Sequence, residues 1–120
     1  MRMTDYNRMS KIIEKTKFHT LKYVAKNDRF DFPGVYLIYS TNGDNLLYIG
    51  NTNSLKSRME EHMMGIGTGN FCSKIKRRPE LSQNIGNYKL RYIRIDNFRE
   101  RHFSECCLIG VYEPPLNFTR

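Results

Sequence analysis

Two β-prone runs, Gly34-Val35-Tyr36-Leu37-Ile38-Tyr39 and Leu46-Leu47-Tyr48-Ile49-Gly50, flank the polar stretch Thr41-Asn42-Gly43-Asp44-Asn45. Aromatic and branched side chains favour extended backbone, and Asn, Gly and Asp tolerate turn geometry, so the runs pair most simply as an antiparallel hairpin. Pro33 biases Phe32 away from helix and marks where the first strand starts. Side chains alternate along a strand, so a two-residue turn would put Tyr36 and Tyr48 on opposite faces. If the two tyrosines are to converge, the hairpin needs a three- or five-residue turn or a bulge.

Elsewhere the periodicity is helical. Between Ser10 and Asn27, the recurrence of Ile13, Leu21, Val24 and Ala25 with lysines between them predicts one amphipathic helix, stopped by Asn27-Asp28. Ser54 or Asn53 caps a second helix over Leu55 to Met64, whose apolar stripe is Leu55, Met59 and Met63. Gly65-Ile66-Gly67-Thr68-Gly69-Asn70 ends it. That loop follows a helix and has the wrong spacing for a dinucleotide fingerprint, so it reads as a connection. A short basic helix from Phe71 to Arg78 stops at Pro79, Ser82 to Asn87 is loop, and Tyr88 to Ile95 is a third strand. Asn97 and Glu100 form a capping-box pattern that opens a last helix running to Tyr112, ended by Pro114-Pro115. The expected fold is α+β, a small three-stranded antiparallel sheet flanked by helices. Residues 1–32 are expected as a helical extension packed on a domain of residues 33–120.

Charge narrows the partner. The 120 residues hold 20 Lys and Arg against 12 Asp and Glu, a formal net charge of +8. An excess of that size in a small domain suits a polyanion such as nucleic acid. The candidate contact surfaces are Lys74, Lys76, Arg77 and Arg78, with the lysines between Ser10 and Lys26; they would bind phosphates without reading sequence. No apolar run approaches the roughly 20 residues needed to cross a bilayer, and the first residues lack a secretory core. No membrane partner is expected on that ground, and three cysteines, Cys72, Cys106 and Cys107, fit neither a disulfide framework nor a CxxC metal pattern, which implies a reducing, intracellular setting.

Two helices carry side chains suited to chemistry. On the last, Phe98, His102, Glu105, Ile109 and Tyr112 fall on one stripe, and Glu105 interrupts its apolar character. A carboxylate so placed needs a cation, a metal or strong donors, and position alone leaves a structural ion pair and a metal ligand equally open. On the central helix Arg58 and His62 are one turn apart at the edge of the apolar stripe, with Glu60 and Glu61 facing away. An arginine fork there suits a phosphate or a carboxylate, and histidine suits proton transfer.

Gly34-Val35-Tyr36, Tyr48-Ile49-Gly50, Leu55-Lys56-Ser57-Arg58 with His62, then Glu105 and Pro115-Leu116-Asn117, in that order, resemble the GIY-YIG nuclease family from Pro33 to Asn117. The resemblance implies a three-stranded antiparallel sheet flanked by helices and divalent-metal-dependent hydrolysis of DNA phosphodiesters. It implies that Tyr36 and Tyr48 are the active-site tyrosines, Arg58 the phosphate-binding arginine, Glu105 the metal ligand, Asn117 a supporting asparagine and His62 a histidine found in many members. Gly50 would leave space near the scissile phosphate, and Lys56 would join the phosphate contacts. Asn51-Thr52-Asn53 carries little weight in that comparison.

The residue types suit the chemistry. Charge growing on a phosphodiester is stabilised by a guanidinium and a divalent cation, here Arg58 and one Mg²⁺ or Mn²⁺ at Glu105. A single carboxylate argues for one metal per active site. The base is Tyr36, with a phenol pKa lowered by metal and arginine, or His62; Tyr48 would orient water, metal or phosphate. Specificity would come from basic surface residues, a homodimer or a partner protein. The alternative function is a non-catalytic or partner-activated nucleic-acid-binding module of the same fold.

Overall fold

The computed structural model describes residues 3–65, 71, 74–75 and 84–118, with residues 3–6 by backbone alone. In chain order come α1 (Met3–Lys15), β1 (His19–Thr20), α2 (Leu21–Ala25), a 3₁₀ turn (Asp28–Phe30), β2 (Gly34–Tyr39), β3 (Leu46–Thr52) and α3 (Leu55–Met64). A second 3₁₀ turn (Ile85–Asn87), β4 (Lys89–Arg94), α4 (Phe98–Tyr112) and α5 (Pro115–Phe118) follow. Among the described residues no helix is long and apolar enough to cross a membrane.

The strands form one antiparallel sheet in the order β1-β4-β2-β3, four strands where the sequence predicts three. The added strand comes from a break in the predicted helix over Ser10 to Asn27. Thr16 turns its hydroxyl back onto the Ile12 carbonyl at 2.8 Å, and Thr20 caps α2 by accepting from the Tyr23 N–H at 3.2 Å. Between them Phe18, His19 and Thr20 are aromatic or β-branched, and His19-Thr20 pairs with Leu90 and Lys89 of β4. Residues 1–32 thus contribute a strand to the sheet and side chains to both cores.

Gly34 through Ile38 are all buried, because both faces of β2 are covered. On one face Val35, Leu37, Ile49 and Ile93 pack with Met9 and Ile13 of α1 and Leu108 of α4. On the other, Tyr36, Ile38, Tyr48 and Leu90 pack with Leu21 and Val24 of α2, Leu55 and Met59 of α3, and Phe71, Ile75 and Leu116. The β2–β3 connection is even, with Ser40 N–H donating to the Asn45 carbonyl at 2.9 Å and Gly43 at φ 80°. A bulge corrects the parity: Tyr39 pairs with Leu46 and Ile38 with Tyr48, so Leu47 is the extra residue. Tyr36 and Tyr48 therefore share a face.

The helix ends follow their side chains. Ser54 accepts from the Ser57 N–H at 3.2 Å to start α3, and Gly65 at φ 68° closes it. Asn97 accepts from the Glu100 N–H at 2.9 Å to start α4. The predicted short basic helix is described only at Phe71, Lys74 and Ile75; Cys72, Lys76, Arg77 and Arg78 lie outside the described residues, as do Ile66 to Asn70 of the glycine-rich loop. Ile85 to Asn87, predicted as loop, forms a 3₁₀ turn.

The close approach of β2 and β4 is testable. A Cβ at Gly34 would stand 2.6 Å from the Ile93 carbonyl oxygen, a backbone atom held in the ladder. Gly34→Ala is expected to lower the unfolding free energy by about 1–3 kcal/mol in urea denaturation. An unchanged midpoint would mean that the two strands do not approach this closely.

Candidate active site

Tyr36 lies flat across the sheet because its partner in register is Gly50. A Cβ at Gly50 would come within 2.5 Å of the Tyr36 Cζ and closer still to the hydroxyl oxygen. The missing side chain thus makes room for the phenol itself, where the sequence suggests room for a phosphate. From there the Tyr36 Oη stands 2.9 Å from His62 Nε2 and accepts from Arg58 Nε at 3.4 Å. With the phenol proton assigned to the first bond, Nε2 is the acceptor and the imidazole proton sits on Nδ1.

His62 is more deeply set than the sequence implies. Its relative exposure is 1%, and it joins Leu55 and Met59 as the buried face of α3, while Met63 is only partly covered. The Phe71 ring packs on it with centroids 4.5 Å apart, and the Tyr36 and Tyr48 rings lie 6.3 Å apart beside it. Burial and then the neighbouring Arg58 charge lower the imidazole pKa from 6.5 to about 3. Burial also pushes the Tyr36 phenol well above its ordinary value; Tyr48 adds to the rise, and the Arg58 hydrogen bond and charge only partly oppose it. In the protein alone, the phenol is not lowered toward a standing phenolate. Glu61 does not face away: its carboxylate is 3.7 Å from Arg58 Nη1. Lys56 pairs with Glu60 and, at 3.8 Å, with Asp28.

Glu105 approaches from the other side of β3, and its partner is Asn51. The Asn51 side-chain N–H donates to Glu105 Oε1 at 2.7 Å, while Asn51 Oδ1 accepts from Arg101 Nε at 3.3 Å. Arg101 is 2% exposed and spends its remaining donors on Asn53 Oδ1 at 2.7 Å and the Ile95 and Asp96 carbonyls at 3.1 and 3.3 Å. Neither Asn51 nor Arg101 stands out in the sequence as functional. The available signal was Arg101 one turn before Glu105, on the same side of the helix.

The predicted stripe on α4 is displaced. Arg101, Ser104 and Leu108 form the buried face, while Phe98, His102 and Tyr112 are exposed and Glu105 and Ile109 lie at the border. Apolar residues occur all round this helix, so spacing alone did not select the docking side. The border position leaves the Glu105 side chain 20% exposed, with its charge felt at the Tyr36 phenol. One partly solvated carboxylate, held by a neutral amide, suits a hard divalent ion that keeps much of its water shell.

Asn117 reaches back from α5 and makes both bonds that a neighbouring strand would make. It accepts from the Ile49 N–H at 2.8 Å and donates to the Ile49 carbonyl at 2.9 Å, fixing β3 between Tyr48 and Gly50. Tyr36, Tyr48, Arg58, His62 and Gly50 are therefore gathered on one side of β3, with Glu105 joining through Asn51. Lys56 flanks them on α3. Lys74 is partly buried.

The GIY-YIG catalytic-domain profile matches residues 32–108 of the chain. This protein belongs to the GIY-YIG nuclease family. Its fold is similar to the GIY-YIG N-terminal endonuclease domain of UvrC from Thermotoga maritima. A point mutant of that domain bound to its catalytic divalent cation is 24% identical, with a TM-score of 0.52, covering 99% of this chain and 100% of that chain. The magnesium-bound form of the same domain is 23% identical, with a TM-score of 0.51, covering 98% and 99%. No curated protein matches the chain significantly.

The buried imidazole sets a pH dependence. Below its ordinary pKa of 6.5 the unfolded chain takes a proton that folded His62 refuses until about pH 3. Its contribution to stability is complete above that upper value and is lost as pH falls through this window. His62→Gln, which keeps an acceptor for Tyr36, is expected to flatten the acid side of the stability curve relative to the parent chain. Parallel curves from denaturant titrations over this range would show that the imidazole is not buried in its neutral form.

Proposed function

We propose that the protein is a divalent-metal-dependent endonuclease that hydrolyses DNA phosphodiester bonds using one cation held by Glu105. The observation that carries this reading is the Tyr36 hydroxyl between Arg58 and His62, with a tethered carboxylate on the adjoining strand edge. When bound, a magnesium or manganese ion supplies charge that offsets the negative charge growing on the phosphate. Cations of this kind occupy the similar UvrC domain.

The chain's own residues then divide the work. Arg58 remains charged and directs its guanidinium to the phosphate while donating to Tyr36. The Tyr36 oxygen takes the proton of the attacking water as its own proton passes to His62 Nε2, so the two candidate bases act as one relay. A relay suits the pKa directions better than a free phenolate, since burial disfavours ionised Tyr36 and leaves His62 neutral, with Nε2 accepting the phenol hydrogen bond. Burial also disfavours the protonated imidazole, so it holds the proton only while the bond breaks; the proton returns through Tyr36 to solvent, and the leaving oxygen takes a proton from solvent. Tyr48 orients the water or phosphate, and Asn117 holds its strand. Lys56, Lys74, Lys76, Arg77 and Arg78 supply sequence-independent charge to the backbone of the substrate. Cutting both strands with one such site requires two encounters, a second copy or a partner protein.

The test is Mg²⁺-dependent cleavage of supercoiled plasmid and of labelled single-stranded and branched DNA. Glu105→Gln and Tyr36→Phe are each expected to slow cutting at least about a hundredfold while DNA binding persists. A metal titration should saturate at one tightly held ion per chain. A parent chain that cuts none of these substrates would overturn the nuclease assignment, equal cutting by the parent and Glu105→Gln would overturn the role of Glu105, and two tightly bound ions would overturn the single-metal scheme.

A further inference from the structure

Glu105 has two unusual neighbours on its own helix. His102, Glu105 and Cys106 stand at i, i+3 and i+4 along α4, and one ligand atom from each lies within 4.8 Å of the others. His102 Nδ1 is 3.8 Å from Glu105 Oε1, and His102 Nε2 is 3.8 Å from Cys106 Sγ. His102 and Cys106 are exposed, so their side chains can close around an ion without disturbing the core. We propose that α4 carries a capture site for a thiophilic divalent cation, zinc above all, formed by the His102 imidazole, the Glu105 carboxylate and the Cys106 thiolate.

The donor chemistry separates this site from the one in the proposed nuclease reaction. Mg²⁺ is a hard ion that takes oxygen and keeps water, and neither thiolate nor imidazole competes well for it. Zinc takes sulfur, nitrogen and oxygen together, at about 2.0–2.3 Å from a tetrahedral centre. Donors on such a centre stand roughly 3.3–3.8 Å apart, so the set needs only small side-chain rotations and the choice of one His102 nitrogen. One donor is already restrained, since Asn51 holds Glu105 Oε1 at 2.7 Å, and the Phe98 ring runs parallel to the His102 ring within 8°, with centroids 6.4 Å apart. On binding, Cys106 releases its thiol proton to solvent, and the fourth position stays open to water.

The site shares its carboxylate with the nuclease reaction, and only the consequence for cleavage rests on that reading: a zinc ion on α4 occupies Glu105 and opposes Mg²⁺-supported cutting.

Cobalt(II) is the probe. Titrated into the reduced full chain without nucleic acid, it is expected to give a thiolate-to-cobalt charge-transfer band and tetrahedral visible bands, saturating at one ion per chain and displaced by Zn²⁺. Cys106→Ser should abolish the charge-transfer band, His102→Ala should weaken binding at least about tenfold, and Cys107→Ser should retain the band. Circular dichroism confirms that each variant is folded. No saturable band in the parent chain, or a band that survives in Cys106→Ser, would overturn the site. In the cleavage assay, Cys106→Ser should need at least about tenfold more Zn²⁺ for the same inhibition. Equal inhibition would overturn the coupling. A parent chain that never cuts would instead overturn the nuclease reading and leave the cobalt result standing.

Discussion

The space left by Gly50 is the constraint on which the rest of the site depends. Tyr36 is a large side chain on the second strand of a sheet covered on both faces, and its ring can lie across the third strand only where that strand carries no Cβ. Once there, the phenol oxygen sits where α3 presents a nitrogen from each of two successive turns, Arg58 Nε and His62 Nε2. The order of cause runs from backbone register to ring orientation to hydrogen bonds. The bulge at Leu47 belongs to the same chain of causes, because without it Tyr48 would fall opposite Leu37 and point into the other core.

The second half of the site is assembled on different principles. Glu105 is held by an amide, Asn51, and that amide is held by Arg101, a cation almost wholly withdrawn from water. A buried guanidinium is costly unless its donors are used, and here they are shared among two asparagine side chains and two backbone carbonyls. No carboxylate neutralises it through any of these bonds. The arrangement leaves the Glu105 carboxylate available for other partners, where a direct Arg–Glu pair would have consumed it.

Much of this was legible in the sequence, for identifiable reasons. The hairpin, α3 and α4 announce themselves through β-prone runs and capping residues whose geometry is local, and the tyrosine parity argument demanded an odd turn or a bulge. What was not legible depends on packing. The break at Thr16 to Thr20 turns on a two-residue strand finding an edge of β4, which no local pattern states. The docking side of α4 is not legible because its apolar residues lie all round and the buried face holds an arginine and a serine, Arg101 and Ser104, beside Leu108. Asn51 does not stand out because an amide has no chemical signature until its partners are known. The depth at which the Tyr36 phenol is set is likewise not legible, since burial is a property of the assembled core.

β3 is one of the two edge strands of the sheet, and an edge strand normally exposes peptide groups that invite another chain to pair. Asn117 occupies the Ile49 peptide groups with a side chain that imitates one rung of a ladder. The strand that carries Tyr48 and Gly50 is thereby guarded against edge-to-edge association by the same amide that fixes its position. Fraying of α5 would therefore do two things at once: loosen the alignment of the tyrosines and uncover a template for self-assembly. The alignment of the tyrosines and the cover over the Ile49 peptide groups thus rest on one side chain of α5.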